Sequence, residues 1–339
     1  MSLAKPVLEG NRLSLARLLT QIENDTVEGR AALGELFSHT GQAHLIGVTG
    51  APGTGKSSLV NQLARYFRNP DAGQEPRRVA IVAVDPSSPF TGGAILGDRV
   101  RMRDLAGDPG VFIRSMASRG TLGGLATATS GMVQALDAAG YELILIETVG
   151  AGQAEVDIAR LAHTTLVVEA PGMGDEIQAI KAGILEIADI LVVNKADRPG
   201  VENTERALRG MLQLAHPVAH RTWHHGRAEM VNAGVEAGEL DEIWQTPILR
   251  TVATEGIGIP AVGEAIIQHR QHLHGTGDWQ RREHARLEAE LNDLLKAELV
   301  SRWRRSVAED LYRSTFNRLV ERRISPRQAV AELIDEGNP

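Results

Sequence analysis

Residues 50–57 read GAPGTGKS, which fits the pattern G-x-x-x-x-G-K-[ST] of a phosphate-binding loop. The apolar run at 44–49 predicts a buried strand before it, and apolar residues at helical spacing follow it. Glycines let the backbone wrap closely around an anion, so that backbone N–H groups and the helix N-terminus point at phosphates. The sequence therefore predicts a P-loop at the centre of an α/β fold.

The P-loop pattern gives individual side chains a role. Lys56 is placed to reach the β- and γ-phosphates, and the Ser57 hydroxyl is placed to bind Mg²⁺. The alternative is a glycine-rich turn before an ordinary helix. The other candidate phosphate-binding residues are Gly50, Gly53, Thr54, Gly55 and Ser58.

A second motif, NKAD at 194–197, follows an apolar run. The Asp197 carboxylate can accept the N1–H and 2-amino hydrogens of guanine, whereas adenine has no N1–H. Asn194 suits the N7/O6 edge and can help to join the loops, and Lys195 would lie along the purine face. Because a site built on such hydrogen bonds rejects an analogue that lacks them, the motif predicts guanine specificity. The alternative is a surface turn after a strand.

Three carboxylates between these motifs are candidate metal ligands. Asp85 and Glu147 each end an apolar run, and Asp98 lies in the glycine-rich segment 91–98. Carboxylates at the ends of parallel strands lie beside the nucleotide crevice, and Mg²⁺ prefers oxygen ligands. Asp85, Asp98 and Glu147 could therefore contact the metal together with Ser57. Each could instead cap a strand or a loop.

The segment after Glu147 reads TVGAGQ at 148–153. Gly150 suits a segment that binds the nucleotide and rearranges when the γ-phosphate is lost. Gln153 is a candidate for orienting the attacking water, although no glutamine follows Gly150 directly. Because no arginine finger is evident, the expectation is a slow intrinsic GTPase that dimer or partner contacts accelerate.

With these motifs in order, the sequence resembles the MeaB/ArgK/MMAA family of P-loop GTPases, in the SIMIBI class. The resemblance covers nearly the whole chain. Small departures occur at Ala94, Ala151 and Ala154, where the family often has Ser, Val and Ser. The matching stretches are GVTGAPGTGKSSL at 47–59, VAVDPSSPFTGGAILGDRVRM at 82–102, IETVGAGQAE at 146–155, PGMGDEIQAIKAGILEIAD at 171–189, NKAD at 194–197 and PILRTVATEGIGI at 247–259.

The resemblance implies a GTP- and GDP-binding chaperone that requires Mg²⁺. Such a chaperone couples its nucleotide state to the loading or protection of adenosylcobalamin in an acyl-CoA mutase such as methylmalonyl-CoA mutase. The resemblance also makes 171–181 a further switch element, in which Asp175 and Lys181 approach the nucleotide or the partner. Lys181 is thus a catalytic candidate, although a helix cap and a surface lysine are the alternative. Ala253, in the last matching stretch, joins the nucleotide-binding residues.

Two other functions compete with the chaperone. This family has also been described as a nucleotide-dependent protein kinase associated with amino-acid transport, but the chain lacks the kinase signature H-R-D-x-x-x-x-N. Related GTPases deliver nickel, but the chain has no cysteine for an organised metal site. The cobalamin motif D-x-H-x-x-G is also absent, so that cofactor should belong to the partner.

The alternation of apolar runs with helical patterns predicts βαβ units and a mostly parallel sheet with helices on both faces. Three parts are expected: an N-terminal helical segment at 1–43, a P-loop GTPase domain at 44–272 and a C-terminal helical arm at 273–339. The apolar stripe of the arm could pack on its own core or on a second copy, and the resemblance implies a homodimer. The residues of this stripe are Leu287, Leu291, Leu294, Trp303, Val307 and Leu311.

Composition limits the remaining function classes. The 339 residues carry a net charge of −7, which argues against a general nucleic-acid binder, so the arginines of the arm suggest a solvated basic face. The sequence shows no secretory signal core and no apolar run of membrane-spanning length, which predicts a cytoplasmic protein. His216, His220, His224 and His225 are expected in an irregular exposed loop, with a metal site as the alternative.

Overall fold

A computed structural model describes residues 2–70, 75–86, 102, 104–105, 107–118, 124–148, 153–172, 187–215, 221–224, 227–230 and 244–335. In this part, seven strands form a parallel sheet and two short strands form a separate antiparallel hairpin. The strands are β1 (His44–Thr49), β2 (Val79–Pro86), β3 (Val111–Ser118), β4 (Leu143–Thr148), β5 (Thr164–Glu169), β6 (Ile190–Val193), β7 (Arg221–His224), β8 (Arg227–Met230) and β9 (Ile248–Arg250).

The order of the large sheet is β3-β2-β4-β1-β5-β6-β9, and all of its neighbouring strands are parallel. Its central strands are buried along their whole length, as expected when helices cover both faces of a parallel sheet. The predicted fold class is therefore confirmed. The P-loop follows β1, so it starts at the middle of the sheet.

Helices cover both faces of the sheet in the described residues. One face packs against α5 and α6, and α1, α2 and α3 join the same core next to α5; the other face packs against α4 and α8. The helices are α1 (Ala4–Leu8), α2 (Arg12–Glu23), α3 (Val27–Leu36), α4 (Lys56–Arg68), α5 (Gly124–Ala138), α6 (Gln153–Leu161), α7 (Val201–Ala215), α8 (Ile259–Thr276), α9 (Asp278–Ser306), α10 (Glu309–Val320) and α11 (Pro326–Asp335).

The chain divides into two compact units, Met1–Arg286 and Leu287–Pro339. The N-terminal helices belong to the first unit together with the sheet, and so do the first turns of α9. The second unit holds the rest of α9 with α10 and α11, where Trp303 Nε1 donates to the Leu333 carbonyl at 3.1 Å. The sequence-based boundaries after 43 and 272 stay predictions.

One local prediction is wrong. The sequence suggested an irregular loop around the histidine cluster, but His224 ends β7, which pairs with β8 through four residue pairs. A turn between short runs of extended residues can form a hairpin without a strong apolar pattern. His216, His220 and His225 lie outside the described residues.

A buried polar network holds the first turns of α9 against the end of the sheet at which its strands begin, called here the amino edge. Arg282 binds both carboxylate oxygens of Asp189, at 2.8 and 2.9 Å, just before β6. His163, just before β5, lies 2.5 Å from Glu283 through its Nε2, and its Nδ1 accepts the Leu45 N–H at 3.0 Å. These bonds fix the neutral tautomer of His163, with its proton on Nε2.

The network continues at the start of β1. His44 Nε2 and His269 Nδ1 both contact the Thr164 hydroxyl, at 2.7 and 2.9 Å. Trp279 stacks on His163 with ring centroids 3.8 Å apart and on His274 at 4.4 Å. The aromatic rings therefore close the amino edge of the sheet, at the end opposite the P-loop.

These contacts shift several pKa values. Burial lowers the pKa of His163 despite the opposing Glu283. Burial, together with the nearby His163 and Arg270 side chains, holds the pKa of His44 well below its usual value. Burial alone would raise the pKa of Asp189, but His269 and Arg282 outweigh it and lower that pKa to about 2. His163 and Arg286 likewise outweigh burial and lower the pKa of Glu283 to about 2.

In the described part of the chain, no helix combines the length and apolar character that a bilayer crossing requires.

Candidate nucleotide site

The P-loop turns sharply after β1, and its glycines permit the turn. Gly50, Gly53 and Gly55 have φ angles of +133°, +82° and +94°, which favour glycine. A Cβ on Gly50 would lie 2.1 Å from the Val168 carbonyl oxygen of β5. Only glycine therefore lets the loop pass this close to the neighbouring strand.

Lys56 and Ser57 open α4 and are both buried. Lys56 Nζ donates to the carbonyl oxygens of Gly50 and Ala51 at 2.8 and 2.9 Å, so its cationic head lies inside the loop. Thr54 is fully buried, and its hydroxyl donates to the same Ala51 carbonyl at 3.0 Å. The lysine charge and the helix N-terminus thus meet at the place where the pattern predicts phosphates.

Ser57, in α4, and Glu147, near the carboxyl end of β4, are in direct contact. Ser57 Oγ donates to Glu147 Oε1 at 2.6 Å, and the Glu147 side chain is only 5% exposed. The pair places a hydroxyl and a carboxylate oxygen beside the P-loop, and hard oxygen donors of this kind fit Mg²⁺. Two of the four predicted metal ligands are therefore in contact.

Asn194 joins three loops at the predicted base site. Its Nδ2 donates to the Thr54 carbonyl at 2.8 Å, and its Oδ1 accepts from the Thr251 hydroxyl and the Ala253 N–H, both at 3.0 Å. A Cβ on Gly55 would lie 2.3 Å from Asn194 Nδ2. The asparagine therefore holds the P-loop, the NKAD motif and the loop after β9 in one arrangement.

The two charged residues of the NKAD motif face outward. Lys195 has a left-handed backbone, with φ of +57°, and its Nζ donates to the Gly53 carbonyl at 2.6 Å. Asp197 is exposed in the turn that follows. The lysine side chain lies along the P-loop and the carboxylate is exposed beyond it. Both groups are therefore accessible to a purine ring.

The remaining predicted residues are only partly visible. Ser58 lies in the first turn of α4 and is half-buried. Asp85 lies near the end of β2 and Gln153 begins α6, but their side chains lie outside the described part. Asp98, Gly150 and Lys181 lie wholly outside the described residues.

Two residues at this site were not predicted from the sequence. Thr251 supports Asn194, and the Thr148 hydroxyl donates to that of Thr49 at 3.1 Å beside the P-loop. Neither forms a motif, since a threonine near a strand end is common. Position was the only signal, because Thr148 directly follows Glu147 and Thr251 lies two residues before Ala253.

Comparison with known proteins identifies relatives over most of the chain. Residues 15–308 match the family described as "Methylmalonyl Co-A mutase-associated GTPase MeaB". A Pyrococcus abyssi protein named as a GTPase is 39% identical over 329 residues, which cover 97% of this chain and 94% of that protein. The GTPase ArgK of Escherichia coli is 32% identical over 340 residues, with coverages of 96% and 92%.

Two further relatives carry more specific names. The mitochondrial "methylmalonic aciduria type A homolog" of Caenorhabditis elegans is 27% identical over 313 residues, covering 88% of this chain and 73% of that protein. A crystal structure of "LAO/AO transport system kinase" superposes with a TM-score of 0.68 at 26% identity, covering 98% of this chain and 95% of that one.

Proposed function

Because the chain belongs to the MeaB family of P-loop GTPases, we propose that its GTP cycle gates the loading or protection of adenosylcobalamin in an acyl-CoA mutase, such as methylmalonyl-CoA mutase. As a GTPase it converts GTP to GDP and phosphate. The name of the Caenorhabditis elegans relative, which refers to methylmalonic aciduria, supports a client of this class.

The Ser57–Glu147 hydrogen bond carries the proposal. It joins the helix after the P-loop to the strand that leads into residues 148–153. We infer that a change at the γ-phosphate that moves Ser57 reaches that segment through this buried contact. A partner that binds the segment would distinguish GTP from GDP.

The residues of the site divide the chemistry of hydrolysis. Lys56 and the P-loop N–H groups neutralise charge on the phosphates, and Asn194, Lys195 and Asp197 hold guanine. Ser57 and Glu147 would hold Mg²⁺, with Asp85 and Asp98 as further ligands. When bound, Mg²⁺ supplies positive charge for the phosphate oxygens in the transition state.

We further propose that the molecule acts as a homodimer through α9. Leu291, Leu294, Leu295, Leu299 and Val300 of this helix are 45–65% exposed. Exposed aliphatic residues on one long helix are typical of a helix–helix interface. In sedimentation experiments, Leu291→Glu should yield monomers at concentrations at which the parent is dimeric. A parent chain that is monomeric at every concentration would contradict the dimer.

The mutase proposal is tested by titrating a cobalamin-dependent acyl-CoA mutase with this protein. Three titrations use GDP, a non-hydrolysable GTP analogue and no nucleotide, and cobalamin transfer is followed in each. Typical allosteric couplings predict a difference of about 5–150-fold in mutase affinity between the nucleotide states. Lys56→Ala, which should not hold nucleotide, serves as the control and should show no difference. Equal mutase affinity and equal transfer in all three titrations would contradict the chaperone function.

A protein kinase is the second candidate, because the superposed crystal structure is named as a transport system kinase. A kinase must place an acceptor hydroxyl and a base beside the γ-phosphate. Transfer of radiolabel from the γ-phosphate of GTP to a transport-binding protein would support it. Release of all label as inorganic phosphate would support the GTPase cycle.

A further inference from the structure

The last contact between β1 and β4 is made by side chains. Their backbones pair in register from His44 with Leu143 to Val48 with Glu147. Thr49 and Thr148 are the next pair in that register, where the Thr148 hydroxyl donates to the Thr49 hydroxyl at 3.1 Å. Both side chains are buried, at 0% and 3% exposure. A hydroxyl bond therefore extends the connection between the strands by one residue.

This bond lies where the two strands separate. After Thr49, the chain enters the P-loop at Gly50. After Thr148, it enters residues 149–152, which lie outside the described part. Any change in the spacing between the P-loop and the end of β4 would therefore first act on the Thr49–Thr148 pair.

Glu147 and Thr148 face opposite sides of the sheet. Leu143 and Leu145 pack in the same core as α4, and Ile144 and Ile146 pack in the core on the other face. By this alternation Glu147 points toward α4, where it meets Ser57, and Thr148 points away from it. The end of β4 is thus held to α4 on one face and to β1 on the other.

We propose that Thr148 is a positioning residue for GTP hydrolysis: its bond to Thr49 holds Glu147 beside Ser57, where both oxygen groups could reach Mg²⁺. The inference rests on the proposed metal-binding role of Glu147. In this proposal, Thr148 acts through Glu147, its neighbour in the strand.

The test measures Mg²⁺ binding to the complex with a non-hydrolysable GTP analogue by calorimetry, and single-turnover GTP hydrolysis as a function of Mg²⁺ concentration. Thr148→Val keeps the branched shape and removes the hydroxyl. It should raise both the Mg²⁺ dissociation constant and the Mg²⁺ concentration for half-maximal rate by about 3–10-fold, the size of one hydroxyl hydrogen bond. Thr148→Ser retains the hydroxyl and should restore the parental value. Thr49→Val removes the acceptor and should reproduce the effect. Thr129→Val, which loses a buried hydroxyl contact to the Met116 sulfur, is the control and should leave the Mg²⁺ dependence unchanged.

A double-mutant cycle separates positioning from stability. If Thr148 acts through Glu147, then Thr148→Val should change nothing further when Glu147 is already Gln. An equal effect in both backgrounds, or a Thr148→Val variant with parental Mg²⁺ dependence, would overturn the inference. If Glu147→Gln alone leaves the Mg²⁺ dependence intact, the metal role of Glu147 fails instead.

Discussion

At the scale of single residues, two members of the NKAD motif perform separable tasks. Asn194 is 2% exposed and makes three side-chain hydrogen bonds to two other loops, whereas Asp197 is exposed. Burial determines what each substitution costs, since a buried polar group that loses its partner loses far more than a solvated one. Binding and stability should therefore respond differently at the two positions.

We expect Asp197→Ala to reduce GTP affinity by about 2–4 kcal/mol, because it removes the bidentate charged contact with guanine that we propose for this residue. Its free energy of unfolding should stay within about 0.5 kcal/mol of the parent, as for most exposed positions. Calorimetric titration with GTP and ATP measures the first quantity, and urea denaturation measures the second. Equal affinity of the parent for ATP and GTP would refute the assignment of the base.

Asn194→Ala should instead reduce the free energy of unfolding, already in the absence of nucleotide. It leaves the Thr54 carbonyl, the Thr251 hydroxyl and the Ala253 N–H without their shared partner, which should cost about 2–4 kcal/mol of folding free energy. Urea denaturation without nucleotide is the measurement. Parental stability would show that water replaces the side chain at no cost.

At the scale of elements, α8 offers a controlled comparison between its two ends. Gly258 is its N-cap and Gly277 its C-cap, and both have a φ of +77°. Their surroundings differ: a Cβ on Gly258 would lie 2.1 Å from the Arg250 carbonyl oxygen, whereas a Cβ on Gly277 meets nothing within 4 Å. The two positions have the same left-handed backbone, so substitutions there differ only in the space available for the added Cβ.

Gly277→Ala should therefore cost about 1–2 kcal/mol of folding free energy, the cost of a left-handed backbone for alanine. Gly258→Ala should cost about 1–3 kcal/mol more, because the backbone of β9 must also move. Thermal unfolding of the two variants gives the comparison. Equal costs would mean that the backbone at Arg250 moves to accommodate the added Cβ without a measurable loss of free energy.

At the scale of the whole molecule, the polar network at the amino edge makes stability depend on pH. His44 and His163 have folded-state pKa values below those of the unfolded chain. Below a pH of about 6.5 the unfolded state therefore binds more protons, so stability rises with pH in that range and falls as the pH drops. Asp189 and Glu283, with pKa values of about 2, add a further loss below their unfolded values.

Each histidine should contribute a slope of up to about 1.4 kcal/mol per pH unit below pH 6.5. His163→Asn keeps an acceptor for the Leu45 N–H and removes one titrating group, so the slope should fall by about that amount. His39→Asn, at an exposed position, is the control and should leave the slope unchanged. Urea denaturation followed by circular dichroism from about pH 5 to 8 measures the slopes. An unchanged slope in His163→Asn would show that the pH dependence arises from other groups.

Prediction from sequence gave the fold where the pattern is local, because the buried strands are continuous apolar runs. The short P-loop and NKAD motifs also named Lys56, Ser57 and Asn194, whose roles toward nucleotide and metal stay predictions. The order of strands could not be obtained in this way. The sequence indicated that Glu147 and Ser57 could share a metal ion. It did not indicate their direct hydrogen bond, since the two residues are 90 positions apart.

The amino-edge network was missed for the same physical reason. His44, His163, Asp189, His269 and Arg282 are single residues on different elements, and none forms a motif. Folding brings them together because each lies where a strand begins or where a helix packs against that edge. The histidines that are close together in the sequence, at 216–225, gave no indication of this network, whose own histidines are far apart in the chain.

The stacking of Trp279 between two imidazoles gives this network an optical signal. A protonated imidazole quenches the emission of an indole that it touches, and Trp279 is 6% exposed, so water has little access to the ring. The indole fluorescence should therefore decrease as His163 gains a proton. Trp279→Phe would remove that component of the emission and keep an aromatic ring in the stack. The protein thus contains a chromophore that reports on the protonation of its own core without any added label.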